Sequence, residues 1–149
     1  IQRPYAVVAD PTDTPKAIFV SAFSDMPLAA DVNIALKGKE ADFQTGIDAL
    51  AKIAKVYLGV KAGSIVGNTQ NATVTEFQGK CPAGNVGVQI NNVCPINKGE
   101  VVWTLAAEEV AMIGRLFNEG KANFTRTIAV AGSEIKEPQY KQVLPRCCV

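Results

Sequence analysis

Hydrophobic and polar positions follow two patterns that alternate along the chain. Apolar or alternating runs, typical of strands, cover residues 17–20, 56–60, 72–77, 101–105 and 126–132. Segments with an apolar residue at every third or fourth position, typical of helices that cover a sheet, separate several of these runs. Strands that alternate with helices predict an α/β domain with a mostly parallel sheet, in a three-layer, Rossmann-like arrangement.

Two predicted helices, residues 41–55 and 107–119, each carry an apolar stripe along one face. The predicted core positions are Phe43, Ile47 and Leu50 in the first helix, Val110, Ile113 and Phe117 in the second, and Trp103 on the preceding strand. These side chains are expected in the core because each helix must cover the sheet. Glu108 and Glu109 fit the positive first turn of the second helix, and Gly120 fits a left-handed cap.

The predicted domain occupies residues 17–132, and its flanks differ from it in composition. Prolines interrupt residues 1–16, so an extended lead-in is expected there. Glu137-Pro138 indicates a boundary, and residues 133–149 are predicted to form an irregular tail. The chain starts with Ile1 and has no signal peptide, which is typical of a fragment cut from a longer protein.

Composition and charge exclude several functional classes. The 149 residues carry 15 Lys and Arg against 14 Asp and Glu, interspersed along the chain, which argues against a nucleic-acid groove. No apolar run approaches the roughly 18 residues that a membrane span requires. Histidine is absent, so the commonest general base and the commonest metal ligand are missing. We therefore predict neither a catalytic set nor a metal site.

Four cysteines, Cys81, Cys94, Cys147 and Cys148, fit neither a dense disulfide framework nor paired metal ligands. Their spacing indicates a reducing, cytosolic setting. Cys81 could act as a reactive thiol if a helix N-terminus lowered its pKa, but an inert residue is the more common case.

One glycine-rich turn is the best candidate for a cofactor site. It consists of Pro82, Ala83, Gly84, Asn85 and Gly87, at the start of a predicted short helix. Backbone N–H groups in such turns approach phosphates, but the turn lacks the full dinucleotide fingerprint and the lysine of a Walker loop. A purely structural turn is the favoured interpretation. Because an exposed helix end contributes only ~0.3–1 kcal/mol, we expect this chain to bind no cofactor itself.

Several ordered segments together resemble a known family. They are residues 17–20, Asp25 with residues 27–30, residues 82–87, residues 102–104 and residues 113–117. This combination resembles the A subunit of the bacterial Na⁺-translocating NADH:quinone reductase, over almost the whole chain. The resemblance implies a Rossmann-like domain, similar in fold to the flavoprotein subunit of respiratory complex I, with a β-grasp-like segment following it.

The family resemblance also implies a setting and partners. The domain would belong to a peripheral subunit on the cytoplasmic face of the bacterial inner membrane, attached through the other subunits of the complex. NAD, flavins, iron–sulfur centres and quinone would be bound in the whole complex, and quinone could reach this segment. Cys81 and the pair Asn91 and Asn92 stand where the family commonly has histidine, so no role of those histidines transfers.

Two alternatives remain at the level of sequence. The first is an autonomous flavin- or nucleotide-binding domain that uses the turn at Pro82 to Gly87. The second is a thiol-dependent redox enzyme that uses Cys81, which would require a lowered thiol pKa. Bound flavin absorbance would reveal the first, and the pH dependence of alkylation would reveal the second.

Overall fold

A computed structural model describes residues 1–144 of the chain, so Cys147 and Cys148 lie outside the described residues. The elements in chain order are β1 (Gln2–Arg3), β2 (Ala17–Ala22), α1 (Val32–Leu36), α2 (Glu40–Ala51), β3 (Val56–Lys61), β4 (Thr73–Phe77), α3 (Val86–Val93), β5 (Val102–Ala106), α4 (Ala107–Glu119), β6 (Arg126–Val130) and β7 (Gln139–Val143). The predicted α/β class is confirmed.

The central sheet has the strand order β1-β5-β2-β3-β4. Strands β2, β3, β4 and β5 are parallel, with Val20 opposite both Leu58 and Leu105, and β1 joins β5 antiparallel. The chain passes outward from β2 through β3 to β4 and then returns to β5 on the other side of β2. The order of strands therefore reverses between β2 and β5, which is where open α/β sheets commonly bind ligands.

The two faces of β2 contribute to two separate hydrophobic clusters because successive side chains point to opposite sides of a sheet. Ile18 and Val20 pack into the larger cluster, which also contains core residues of α1, α2 and α4. Ala17 and Phe19 pack into the smaller cluster with Ile90 of α3. Phe19 also stacks on Tyr57, with the ring centroids 4.9 Å apart.

Helices α2 and α4 cross in direct backbone contact. A Cβ at Gly114 would overlap the carbonyl oxygen of Asp42, and a Cβ at Gly46 would overlap that of Val110. The absence of side chains at both glycines permits this close approach. The buried face of α4 accordingly consists of small residues and one valine, namely Ala107, Val110, Ala111 and Gly114.

This packing corrects part of the predicted core. Phe43, Ile47, Leu50 and Val110 are buried as predicted. The prediction for Phe117 is wrong, since its side chain is 65% exposed, and Ile113 and Trp103 are only half-buried. The close crossing rotates α4 so that its small residues face α2, and the large stripe at Ile113 and Phe117 therefore turns away. Helix α2 also ends at Ala51, before the predicted end at residue 55.

The flanking segments differ from their predictions as well. Gln2 and Arg3 of the predicted lead-in form β1, because their backbone groups pair with Trp103 and Val102 of β5. Strand β6 pairs antiparallel with β7 in a separate two-stranded sheet and does not join the main one. The prediction of an irregular tail is thus wrong for residues 139–143. The domain boundaries stay predictions.

Candidate functional site

The candidate site lies at the carboxyl end of the parallel sheet, where the neighbouring strands β2 and β5 end. A cavity of about 390 Å³ opens there. It is lined by Ser21 from β2, Thr104, Leu105 and Ala106 from β5, Ile1 and Arg3 from the N-terminal segment, Gly84 and Val86 from the glycine turn, and Glu109 from α4. The strand ends form its floor because all the parallel strands of the sheet end on this side.

The glycine turn predicted from sequence borders this cavity, and its N–H groups already have partners. The Gly87 N–H donates to Asn85 Oδ1 at 2.8 Å, so Asn85 caps α3. The Gly84 N–H donates to Asp25 Oδ2 at 3.1 Å. The Asn85 N–H donates to the Pro82 carbonyl at 2.9 Å. The structure confirms a turn that opens a short helix.

Asp25 explains why residue 84 is a glycine. A Cβ at Gly84 would lie 2.6 Å from Asp25 Oδ1 and 2.8 Å from the Asp25 backbone nitrogen. The loop that follows β2 therefore approaches the turn so closely that no side chain fits between them. Sequence reasoning identified the turn but not Asp25 as its neighbour, because 59 positions separate the two residues. That Pro82, Ala83, Gly84, Asn85 and Gly87 bind a cofactor stays a prediction.

A buried amide side chain forms a hydrogen bond to the turn. Gln89 of α3 is 1% exposed, and its Nε2 donates to the carbonyl oxygen of Ala83 at 3.3 Å. Its Oε1 lies against Gly59 of β3, where a Cβ would overlap it. Gln89 thus connects the turn to the middle of the sheet, a role that the sequence pattern did not reveal.

Two carboxylates occupy the first turn of α4, as the sequence predicted. Glu109 Oε2 accepts a hydrogen bond from the Ala106 N–H at 3.0 Å, and its Oε1 accepts one from Arg126 Nη2 at 3.2 Å. Glu108 is half-buried, and burial raises the pKa of its carboxyl group. The positive end of the α4 dipole is therefore neutralised by the chain's own acidic residues.

Neither Cys81 nor Cys94 lines this cavity. Cys81 is exposed, and Cys94 is half-buried beside the smaller hydrophobic cluster. Within residues 1–144, no group of three or more histidine, cysteine or acidic residues is placed to hold a metal ion. None of the helices described has the length and apolar character to cross a bilayer.

Comparison with known proteins gives a consistent set of relatives. Residues 1–122 match the family model described as "NqrA second alpha/beta domain". The chain is 36% identical over 140 residues to the A subunit of the Na(+)-translocating NADH-quinone reductase of Serratia proteamaculans, covering 91% of this chain and 31% of that protein. It is 36% identical to the same subunit of Pseudomonas aeruginosa and 34% identical to that of Marinomonas sp., each over 139 residues. Both matches cover 92% of this chain and 31% of the relative. The chain thus spans a little under a third of the length of these relatives.

Proposed function

The chain belongs to the family of the NqrA second alpha/beta domain, and from this membership we propose that it serves as one domain of the A subunit in a Na⁺-translocating NADH-quinone reductase. The match of the family model over residues 1–122 carries this proposal. The identity of 34–36% to proteins with that subunit name, across 91–92% of the chain, supports it.

The proposed role is to support electron transfer from NADH to quinone, coupled to Na⁺ export, without chemistry of the domain's own. NAD, flavins, iron–sulfur centres and quinone are then held by other parts of the complex, and quinone is a proposed contact of this domain. The glycine turn supports this proposal, because its N–H groups already donate hydrogen bonds within the chain. The Gly84 N–H donates to Asp25, and the Gly87 N–H donates to Asn85.

We further propose that the domain is Rossmann-like in the finer sense, with three layers and a relationship to the flavoprotein subunit of respiratory complex I. Four parallel strands support this assignment, as do hydrophobic clusters on both faces of β2. The other subunits of the reductase are its expected partners. Its location would be peripheral, on the cytoplasmic face of the bacterial inner membrane, with membrane contact only through those partners.

Purification of the tagged protein from its native cells tests the subunit assignment. Membranes are solubilised in mild detergent, the tagged protein is captured, and the proteins recovered with it are identified by mass spectrometry. The expected result is recovery of membrane subunits together with NADH:quinone reductase activity that depends on Na⁺. Recovery of the tagged protein alone, without that activity, would contradict the proposal. The same capture from untagged cells is the control.

Calorimetric titration tests the proposal that the domain binds no cofactor of its own. FMN and NADH are titrated separately into the 149-residue chain. No saturable binding is expected below about millimolar ligand, because an exposed helix end falls far short of the ~8 kcal/mol that micromolar affinity requires. A micromolar dissociation constant that Gly84→Val abolishes would instead favour an autonomous cofactor-binding domain.

A further inference from the structure

The cavity at the carboxyl ends of β2 and β5 is lined by an arginine that forms an ion pair with none of the described residues. Of the arginines in the part of the chain that the structure describes, Arg115 pairs with Glu119 at 2.9 Å and Arg126 pairs with Glu109 at 3.2 Å. Arg3 lines the cavity and forms no ion pair with any described residue. Its Nε is buried and has no hydrogen-bond partner among those residues. The Nε of Arg115 also forms no hydrogen bond of good geometry, but a carboxylate oxygen of Glu119 lies 2.9 Å from it, whereas Arg3 has no such carboxylate.

The buried Nε of Arg3 has no acceptor among residues 1–144, so it is available to an acceptor that a ligand would supply. A buried donor without a partner loses its hydration and regains nothing, at a cost of roughly 1–3 kcal/mol. Carboxylates are the natural partner, because the planar fork of arginine matches both carboxylate oxygens. Glu109 lines the same cavity but forms its ion pair with Arg126 and not with Arg3.

The rest of the lining limits what the ligand can be. Ile1 and Val86 present apolar surface, and Thr104 uses its hydroxyl group to donate to the Ile1 carbonyl at 3.2 Å. Glu109 lines the cavity, and the Asp25 carboxylate lies next to the lining residue Gly84. These two negative charges disfavour a phosphate group with two negative charges more strongly than a single carboxylate.

We propose that this cavity binds a small monocarboxylate with an apolar body. The carboxylate pairs with the Arg3 guanidinium group, and the apolar body contacts Ile1 and Val86. At about 390 Å³, the cavity lies within the usual range for small-molecule sites. It also lies where the order of strands reverses, as ligand sites in open α/β sheets commonly do. The site is independent of the proposed subunit role.

Titration followed by amide NMR shifts tests the proposal on the 149-residue chain. The probe is benzoate, and the reporters are the amides of Ser21, Gly84, Thr104 and Ala106. Saturable shifts at these positions are expected, with a dissociation constant of about 1–10 mM, as is usual for so small a ligand. Benzamide has the same shape without the charge and is expected to bind at least tenfold more weakly, as is inorganic phosphate.

Two variants identify the residue responsible. Arg3→Gln is expected to weaken benzoate binding at least tenfold, because it removes the charge and the fork. Arg115→Gln removes an arginine that lies outside the cavity, so it is expected to leave benzoate binding unchanged. Three results would overturn the proposal: no saturable benzoate shifts, equal binding of benzamide or phosphate, or unchanged binding in Arg3→Gln. The comparison of benzoate with benzamide uses the unmodified chain and so decides the matter even if Arg3→Gln fails to fold.

Discussion

Two of the close approaches at glycine in this molecule have neighbours of different kinds. Where α2 crosses α4, Gly114 lies against the backbone of Asp42 and Gly46. At the carboxyl end of the sheet, Gly84 lies against Asp25 in the loop after β2. The first contact joins two helices whose shared face is buried, whereas the second joins a turn to a loop of mostly exposed residues.

This difference separates the part of the fold that sets stability from the part that shapes the site. Two packed helices cannot separate locally without opening the core, so an added methyl group at the crossing displaces a whole element. A surface loop can shift by itself, so an added methyl group at the turn displaces only the segment near Asp25. We therefore expect an added methyl group to lower stability more at the glycines of the helix crossing than at the glycines of the turn.

The largest effect is expected for an aromatic residue near the helix crossing. Phe43 of α2 is 1% exposed, and Phe43→Ala should lower the free energy of unfolding by about 3–5 kcal/mol through lost burial and the cavity left behind. Chemical denaturation monitored by circular dichroism measures the change. A loss below about 1 kcal/mol would show that α2 does not anchor the larger hydrophobic cluster.

A somewhat smaller effect is expected for a methyl group added at the crossing itself. Gly114→Ala gains about 1 kcal/mol of helix propensity, but the overlap with Asp42 should outweigh it and leave a net loss of about 3 kcal/mol. Gly87→Ala is the matched control, because Gly87 lies in the first turn of α3 and the atom nearest to an added Cβ would be Asn85 Oδ1, at 3.1 Å. If both variants are equally stable, the helices do not cross as closely as described.

The same substitution at the turn should cost less. Gly84→Ala is expected to lower the free energy of unfolding by about 1 kcal/mol, because the loop at Asp25 can give way. In an Asp25→Ala background the cost should fall, since the carboxylate that the methyl group meets is gone. A double-mutant cycle with denaturation midpoints measures this coupling. Strict additivity of the two substitutions would mean that Asp25 does not hold the turn.

Features that are determined by residues close together in the sequence could be predicted from it. The turn at Pro82 to Gly87, the cap at Gly120 and the acidic first turn at Glu108 and Glu109 are local, so residue types at fixed spacing indicated them. Helix α4 does end at a left-handed Gly120, as predicted. The strands β2, β3 and β5 were predictable too, because buried parallel strands are continuous apolar runs.

Features that depend on distant contacts were missed. Glycine in a helix interior is unfavourable by itself, so nothing local marked Gly46 and Gly114 as the contact between α2 and α4. The pairing of Asp25 with Gly84, and the placement of Arg3 beside β5, required the strand order. Strand β7 was missed because Gln139–Val143 alternates weakly and is mostly exposed.

The smallest effect is expected where periodicity gave the wrong buried face. Phe117 continues the apolar stripe of α4, yet it is 65% exposed because Ala107, Val110, Ala111 and Gly114 form the buried face. Phe117→Ala should therefore lower the free energy of unfolding by less than about 0.5 kcal/mol, as is usual for exposed positions. Phe43→Ala, measured by the same denaturation, is the matched comparison, since both substitutions remove one phenyl ring from one of the two crossing helices.

A loss of several kcal/mol at Phe117 would require α4 to be rotated so that the Phe117 ring faces the sheet. The contact of Gly114 with Asp42 would then have to open, so the outcomes at Phe117 and at Gly114 determine together which face of α4 is buried.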